Sequence, residues 1–189
     1  MATPRTIHLV EQTANQAPNR ERQRAVPGTY LLTFVCYGAK LHGEADAVDR
    51  WHNVLGTPRI QENSTRAARQ RQLMNQPPYM LDGIRRSVTL KAIQGVCNRK
   101  AWTLLAAHIR TNHVHVVVEA EAPPEWVMST LKRSASRALN ELGIDEQEER
   151  RRWARHGSTR YIWTKEQLSA AIRYAVSGQG EPLAVYEAP

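Results

Sequence analysis

The chain has 189 residues, enough for one domain with a sizeable core and too few for two. Its 26 Lys and Arg against 18 Asp and Glu leave a formal charge of +8, gathered in NRERQR, TRAARQRQ, GIRR and ERRRWARH, which suits a polyanionic partner and a phosphate backbone above all. Only Cys36 and Cys97 are present, without finger or CxxC spacing, and neither an apolar membrane-length run nor the apolar segment of a signal peptide occurs; no disulfide framework, structural zinc site or membrane span is expected, and a cytoplasmic protein is.

Residues 1–27 are polar, hold Pro4, Pro18 and Pro27 and keep no period, which predicts a flexible basic arm ahead of one domain over 28–189. TYLLTFVCYGAKL, after Pro27-Gly28, is rich in β-branched and aromatic residues and reads as a central, buried first strand. A polar insertion follows over about 38–78, and its second half, Ser64 to about Met74, has helical composition and stops before Pro77-Pro78. Ile84, Val88, Ile93 and Val96 recur at helical spacing in MLDGIRRSVTLKAIQGVCNRKA, with Arg85, Arg86 and Lys91 on the outer side. WTLLAAHIR and HVHVVVEA form a hairpin turning at Thr111-Asn112. PPEWVMSTLKRSASRALNELG is the next helix, opened by prolines and closed by Gly143, with Trp126, Leu131 and Leu139 turned inward.

A short strand, STRYIW, follows the basic run. A last helix starts at Thr164, a capping residue with Gln167 three positions on, and runs through KEQLSAAIRYAV to Ser177-Gly178. Strand, helix, strand, strand, helix, strand and one more helix is the order of an α+β, ferredoxin-like (split βαβ) fold: an antiparallel sheet with helices on one face and an extra C-terminal helix.

Side chains alternate along a strand, so His113, His115 and Val117 share one face while Val114, Val116 and Val118 share the other. With the helices on the valine face, the histidines lie on the open one. Two neutral imidazoles so placed suit one divalent metal; a pair of surface or hydrogen-bonded histidines is the alternative that spacing leaves open. His108 and His156 read as structural or surface residues.

Asn112-His113-Val114-His115 resembles the HUH motif of single-tyrosine transposases, the family of insertion-sequence and REP-associated tyrosine transposases, and LSAAIRYAVSGQGEP places Tyr174 where those enzymes carry a nucleophilic tyrosine. The resemblance spans about 28–187. It implies an enzyme that cuts single-stranded or hairpin DNA, leaves a 5′-phosphotyrosine and a free 3′-OH, uses Mg²⁺ or Mn²⁺, and forms a homodimer in which the tyrosine helix can dock on the partner's histidines. The residue types suit that chemistry. A divalent cation draws charge from the scissile phosphate, and a tyrosyl phosphodiester can be resealed because phenol leaves more readily than an alcohol.

Relatives place Gln, Glu or Asn four residues after the tyrosine as third ligand. Here that position is Gly178, so Gln179 is named instead, with Gln167 as the alternative. Tyr161 and Tyr186 compete for the nucleophile's role, Tyr161 as a packed strand residue with its hydroxyl at the rim. Arg150, Arg151, Arg152, Arg155, His156 and Arg160 are the expected DNA contacts, against the alternative of a solvated charged face. Trp51, Trp153 and Trp163 read either as base-stacking residues or as core. Two other functions fit less of the pattern: a domesticated relative that binds DNA hairpins and cuts poorly, and an RNA-binding module, which needs aromatics where this strand shows His113, His115, Val117 and Glu119.

Overall fold

The structure is a computed structural model that describes residues 28–41, 44, 61–145 and 149–189. Nine elements follow one another among the described residues: β1 (Gly28–Val35), α1 (Ser64–Gln72), α2 (Gly83–Arg99), β2 (Thr103–Ile109), β3 (His113–Ala120), α3 (Pro124–Glu141), β4 (Ser158–Ile162), α4 (Lys165–Val176) and β5 (Ala184–Glu187). The expected arm over 1–27 and most of the first half of the insertion lie outside the described residues.

The sheet runs β4-β1-β3-β2-β5 with every neighbour antiparallel. Its first four strands have the split βαβ order, and β5 adds a fifth at the β2 edge, where the sequence showed no strand. The α+β, ferredoxin-like architecture holds.

One face is covered by α2 and α3. Tyr30, Leu32 and Phe34 of β1 and Val114, Val116 and Val118 of β3 meet Ile93, Val96, Val127 and Leu131 there, each fully buried aliphatic or aromatic side chain worth about 1.5–3 kcal/mol of transfer free energy. The other face is not open as expected. Leu31, Ala106, Val117 and Ile162 pack against Ala171 and Ala175 of α4, so this helix roofs part of the histidine face. The small alanines let α4 lie close to the strands.

Capping matches the local chemistry. Asp82 accepts from the Arg85 amide at the start of α2, and the Thr164 hydroxyl accepts from the Gln167 amide at the start of α4. Three readings need correction. Ile84 is 63% exposed because it sits in the first turn of α2, ahead of the buried row Thr89, Ile93, Val96. Trp126 is 43% exposed and lies over the rim, edge-on to Trp102 at 5.4 Å. Arg85 is half-buried rather than outside, because Asp145 draws it in at 2.9 Å.

A register shift between Leu104 and Ala106 breaks the alternation of β2. Leu104 faces α2 and α3, and the extra residue turns His108 to the opposite face, directly across from His115. That bulge completes a cross-strand row of Ser158, Thr33, His115 and His108 on the face that α4 roofs.

Candidate active site

The hairpin turn between β2 and β3 is held on both sides: the Cys36 amide donates to the Asn112 carbonyl, the Leu81 amide to the Thr111 carbonyl, and the Arg110 amide to the His113 carbonyl. The first residue of β3 is therefore fixed in place, and with it the His113 ring.

Each imidazole is oriented through Nδ1. That of His113 lies 2.7 Å from Asn112 Oδ1, and that of His115 lies 2.8 Å from the Thr33 hydroxyl. The rings stand edge to face with centroids 4.8 Å apart. Burial lowers the pKa of both rings; that of His115, 3% exposed, falls to about 4, with the neighbouring His113 adding to the fall and Gln179, within reach of both rings, working against it. Both are neutral at pH 7, the form that carries a lone pair for a metal.

Gln179 comes from the turn after α4. Its Oε1 is 3.1 Å from His115 Nε2 and its amide nitrogen donates to the Tyr174 carbonyl at 3.1 Å. The turn is possible because residue 178 is glycine: a Cβ there would stand 2.9 Å from the Tyr174 carbonyl oxygen. Glycine at the position where relatives carry the ligand thus brings the next residue to the histidines. Gln167 instead accepts from the Trp163 amide at the far end of α4.

Tyr174 is 48% exposed, and its ring centroid lies 5.2 Å from that of His115 in the same chain. Tyr161 is on β4, edge-on to Tyr30 and stacked on Trp163. Tyr186 belongs to β5 and packs against the α2–α3 core. Of the three tyrosines, Tyr174 is the one beside the histidines.

The donor set fits a hard divalent cation. Among the described residues no three His, Cys, Asp or Glu side chains converge, so a third side-chain ligand of a cation held here would be an amide or hydroxyl oxygen. The 3.1 Å between His115 Nε2 and Gln179 Oε1 is close to the ~3 Å that separates adjacent ligands of an octahedral ion with bonds of about 2.1 Å. The Nδ1 contacts supply the outer hydrogen bonds that metal-binding imidazoles need.

A sequence model of the family described as "Transposase IS200 like" matches residues 78–169, the segment that carries α2, the hairpin with both histidines, α3 and β4. Over this segment, just under half of its length, the chain is similar to the IS200-like transposases. The match ends before Tyr174 and Gln179. No curated protein matches the chain. Two solved structures are similar to it: the REP-associated tyrosine transposase bound to a REP hairpin, at 12% identity and TM-score 0.46 over 86% of this chain and 72% of that one, and a candidate transposase from Deinococcus radiodurans R1, at 13% identity and TM-score 0.41 over 82% and 92%.

The basic residues of the chain divide by burial. Arg152 is inside, 2.6 Å from Asp145, which also holds Arg85 and accepts from the Tyr79 hydroxyl. Arg150 lies over the Tyr79 ring and donates to the Pro77 and Pro78 carbonyls. Arg151, Arg155, His156 and Arg160 are exposed. Lys132, whose pKa burial lowers to about 8, ties down the segment bearing Arg155 by donating to the Ala154 and His156 carbonyls. Trp153 is structural, donating to Lys132 and Ser136 and meeting Phe34 edge-on; Trp163 is 76% exposed, and Trp51 lies outside the described residues.

Sequence reasoning missed Thr33, and also Arg110 and Lys40, two cations near enough to His113 to disfavour its charged form. Cross-strand register brings Thr33 to His115, whereas Arg110 and Lys40 come from the turns that follow β2 and β1. Two surface cavities, of about 350 and 320 Å³, gather around Pro77 and Pro78, and no residue of the histidine site lines either.

Proposed function

We propose that this chain nicks and rejoins single-stranded DNA, with Tyr174 as nucleophile and His113, His115 and Gln179 as the ligands of Mg²⁺ or Mn²⁺. What carries the reading is the Tyr174 ring beside a pair of neutral imidazoles whose Nδ1 atoms are already engaged. The Tyr174 oxygen attacks the scissile phosphorus, its proton passing to water. A 5′-phosphotyrosine forms as the bond to the 3′ oxygen breaks, and that oxygen leaves as a 3′-OH. Attack by a 3′-OH on the tyrosyl phosphodiester reverses the step without ATP, since the bond energy is retained.

The cation, when bound, withdraws charge from the phosphate. Thr33 and Asn112 orient the two rings, and Arg110 and Lys40 draw the phosphate toward His113. Arg151, Arg155, His156 and Arg160 are assigned to the DNA backbone and the exposed Trp163 to an unpaired base. A homodimer built from such chains would hold two sites, each with its own tyrosine. The RNA-module reading loses ground because the histidine face carries no strand aromatic and lies partly under α4.

The test is incubation with end-labelled single-stranded oligonucleotides, with and without hairpins, drawn from the DNA flanking the gene. A covalent adduct that requires Mg²⁺ or Mn²⁺ and disappears in Tyr174→Phe, with DNA affinity retained, is the expected result. Tight hairpin binding without any adduct gives the domesticated-binder reading instead. An undiminished adduct in Tyr174→Phe moves the nucleophile to Tyr161 or Tyr186.

A further inference from the structure

His108 is fully buried on β2, opposite His115, yet the proposed chemistry gives it nothing to do. Both of its ring nitrogens are taken by backbone. Nδ1–H donates to the Ala175 carbonyl at 2.8 Å, and Nε2 accepts from the Leu183 amide at 3.3 Å. This pairing requires one neutral tautomer, and burial, which lowers the pKa of the ring, keeps it neutral.

The two backbone groups are not arbitrary. Ala175 follows Tyr174 directly, and Leu183 lies just before β5. A single imidazole therefore closes both ends of the segment 176–182, and Gln179 sits within that segment with its side chain between His115 and the Tyr174 carbonyl. The apolar contact of α4 with the sheet is made by buried Ala171 and Ala175 with Leu168, Ile172 and Val176 partly buried beside them, and such packing is non-directional. A directional clasp supplies what packing lacks.

We infer that His108 is a positioning residue that fastens the tyrosine helix and the Gln179 turn over the histidines of their own chain, making each chain's site complete in itself. It touches neither DNA nor cation and acts through Tyr174 and Gln179. The inference rests on the proposed nuclease chemistry only for its consequence; the clasp itself can be measured without any cleavage.

Three variants test it. His108→Leu removes both hydrogen bonds at similar volume, His108→Gln keeps one donor and one acceptor, and Leu183→Pro, at a partly exposed position, deletes one donor and leaves the imidazole. Amide hydrogen exchange over 176–183 should rise about tenfold in Leu183→Pro, the factor that one lost hydrogen bond represents, and about 100-fold in His108→Leu, which loses two, while the β3 amides keep their protection. The single-turnover rate of adduct formation in His108→Leu should fall about 100-fold, as for an ångström-scale displacement of a reacting group, with DNA affinity unchanged and His108→Gln largely restored. Mixing His113→Ala/His115→Ala chains with Tyr174→Phe chains should restore no adduct when His108 is present and should restore some when both carry His108→Leu. Unchanged exchange over 176–183 in both His108→Leu and Leu183→Pro overturns the clasp, as does equal loss of protection throughout the sheet. If the unaltered protein forms no adduct but the exchange pattern is as stated, the nuclease reading fails and the clasp stands.

Discussion

Thr33 stands opposite His115 across the β1–β3 pairing, and its hydroxyl is the one partner of His115 Nδ1. Thr33→Val keeps the shape and β-branching and deletes that partner. The cation concentration giving half-maximal adduct should then rise about tenfold, as when the outer hydrogen bond of a metal-binding imidazole is removed, with little change in the thermal midpoint; an unchanged cation requirement would place Thr33 outside the site. Gly178 is the second position where one atom decides. In Gly178→Ala the new methyl meets the Tyr174 carbonyl at 2.9 Å and its Cα at 3.1 Å, both backbone atoms, so the turn has to shift and Gln179 with it. Single-turnover cleavage should fall at least about tenfold, while urea unfolding shows a loss of about 1 kcal/mol. The histidine pair was legible in the sequence because alternation along one strand is local. Thr33 was not, because register across a separation of 82 positions is set by sheet pairing rather than by any nearby pattern.

At the scale of elements, the start of α2 is bound to the segment between α3 and β4 by one carboxylate. Burial alone would raise the pKa of Asp145, but hydrogen bonds from Arg85, Arg152 and Tyr79 outweigh it and hold the carboxyl below its ordinary value of 3.8. A group with a depressed folded-state pKa contributes stability above its unfolded value and loses it as the pH falls through the folded one. Stability should therefore hold from neutral pH down to about 4 and fall below that. Asp145→Asn should lose about 3 kcal/mol at pH 7, since the buried Arg152 is left without a counter-charge, and should show a shallower decline on acidification, both read from urea unfolding at pH 7 and pH 3. A decline as steep as the parent's would assign the acid sensitivity elsewhere. The long helices α2 and α3 were legible from their apolar period, and their first turns were not, because Ile84 and Trp126 keep the period beyond the edge of the surface they would pack on. β5 escaped notice because four residues, AVYE, carry too little pattern to mark a strand that exists by pairing with the β2 edge.

At the scale of the whole molecule, with its formal charge of +8, the arginines among the described residues divide into those that hold the fold and those that face solvent. Removing Arg155 or Arg160 should weaken single-stranded DNA binding evenly across sequences. Each loss should reduce the slope of log affinity against log salt by about 0.7, the counterion release of one single-strand phosphate contact. Arg152→Met should leave that slope alone and lower stability instead, because its guanidinium is already bound to Asp145. Binding isotherms between low and moderate salt separate the two classes, and a reduced slope in Arg152→Met would show that the buried ion pair opens to DNA.

The order of elements as far as α4, the faces of β3, the late helix with Tyr174 and the basic character of the chain were all determined by the sequence itself, since each depends on periodicity, capping or composition within a few residues. Tertiary structure decided the rest. It laid α4 over a face expected to be open, used a bulge in β2 to turn His108 toward that face, and brought Gln179 to His115 through a turn that only glycine at 178 leaves room for. It also drew Arg152 inside beside Asp145 while leaving Arg155 and Arg160 in solvent. The physical reason is the same in each case: these outcomes depend on which surfaces meet across the sheet, and contacts between segments distant in the chain leave no period for a local reading to find.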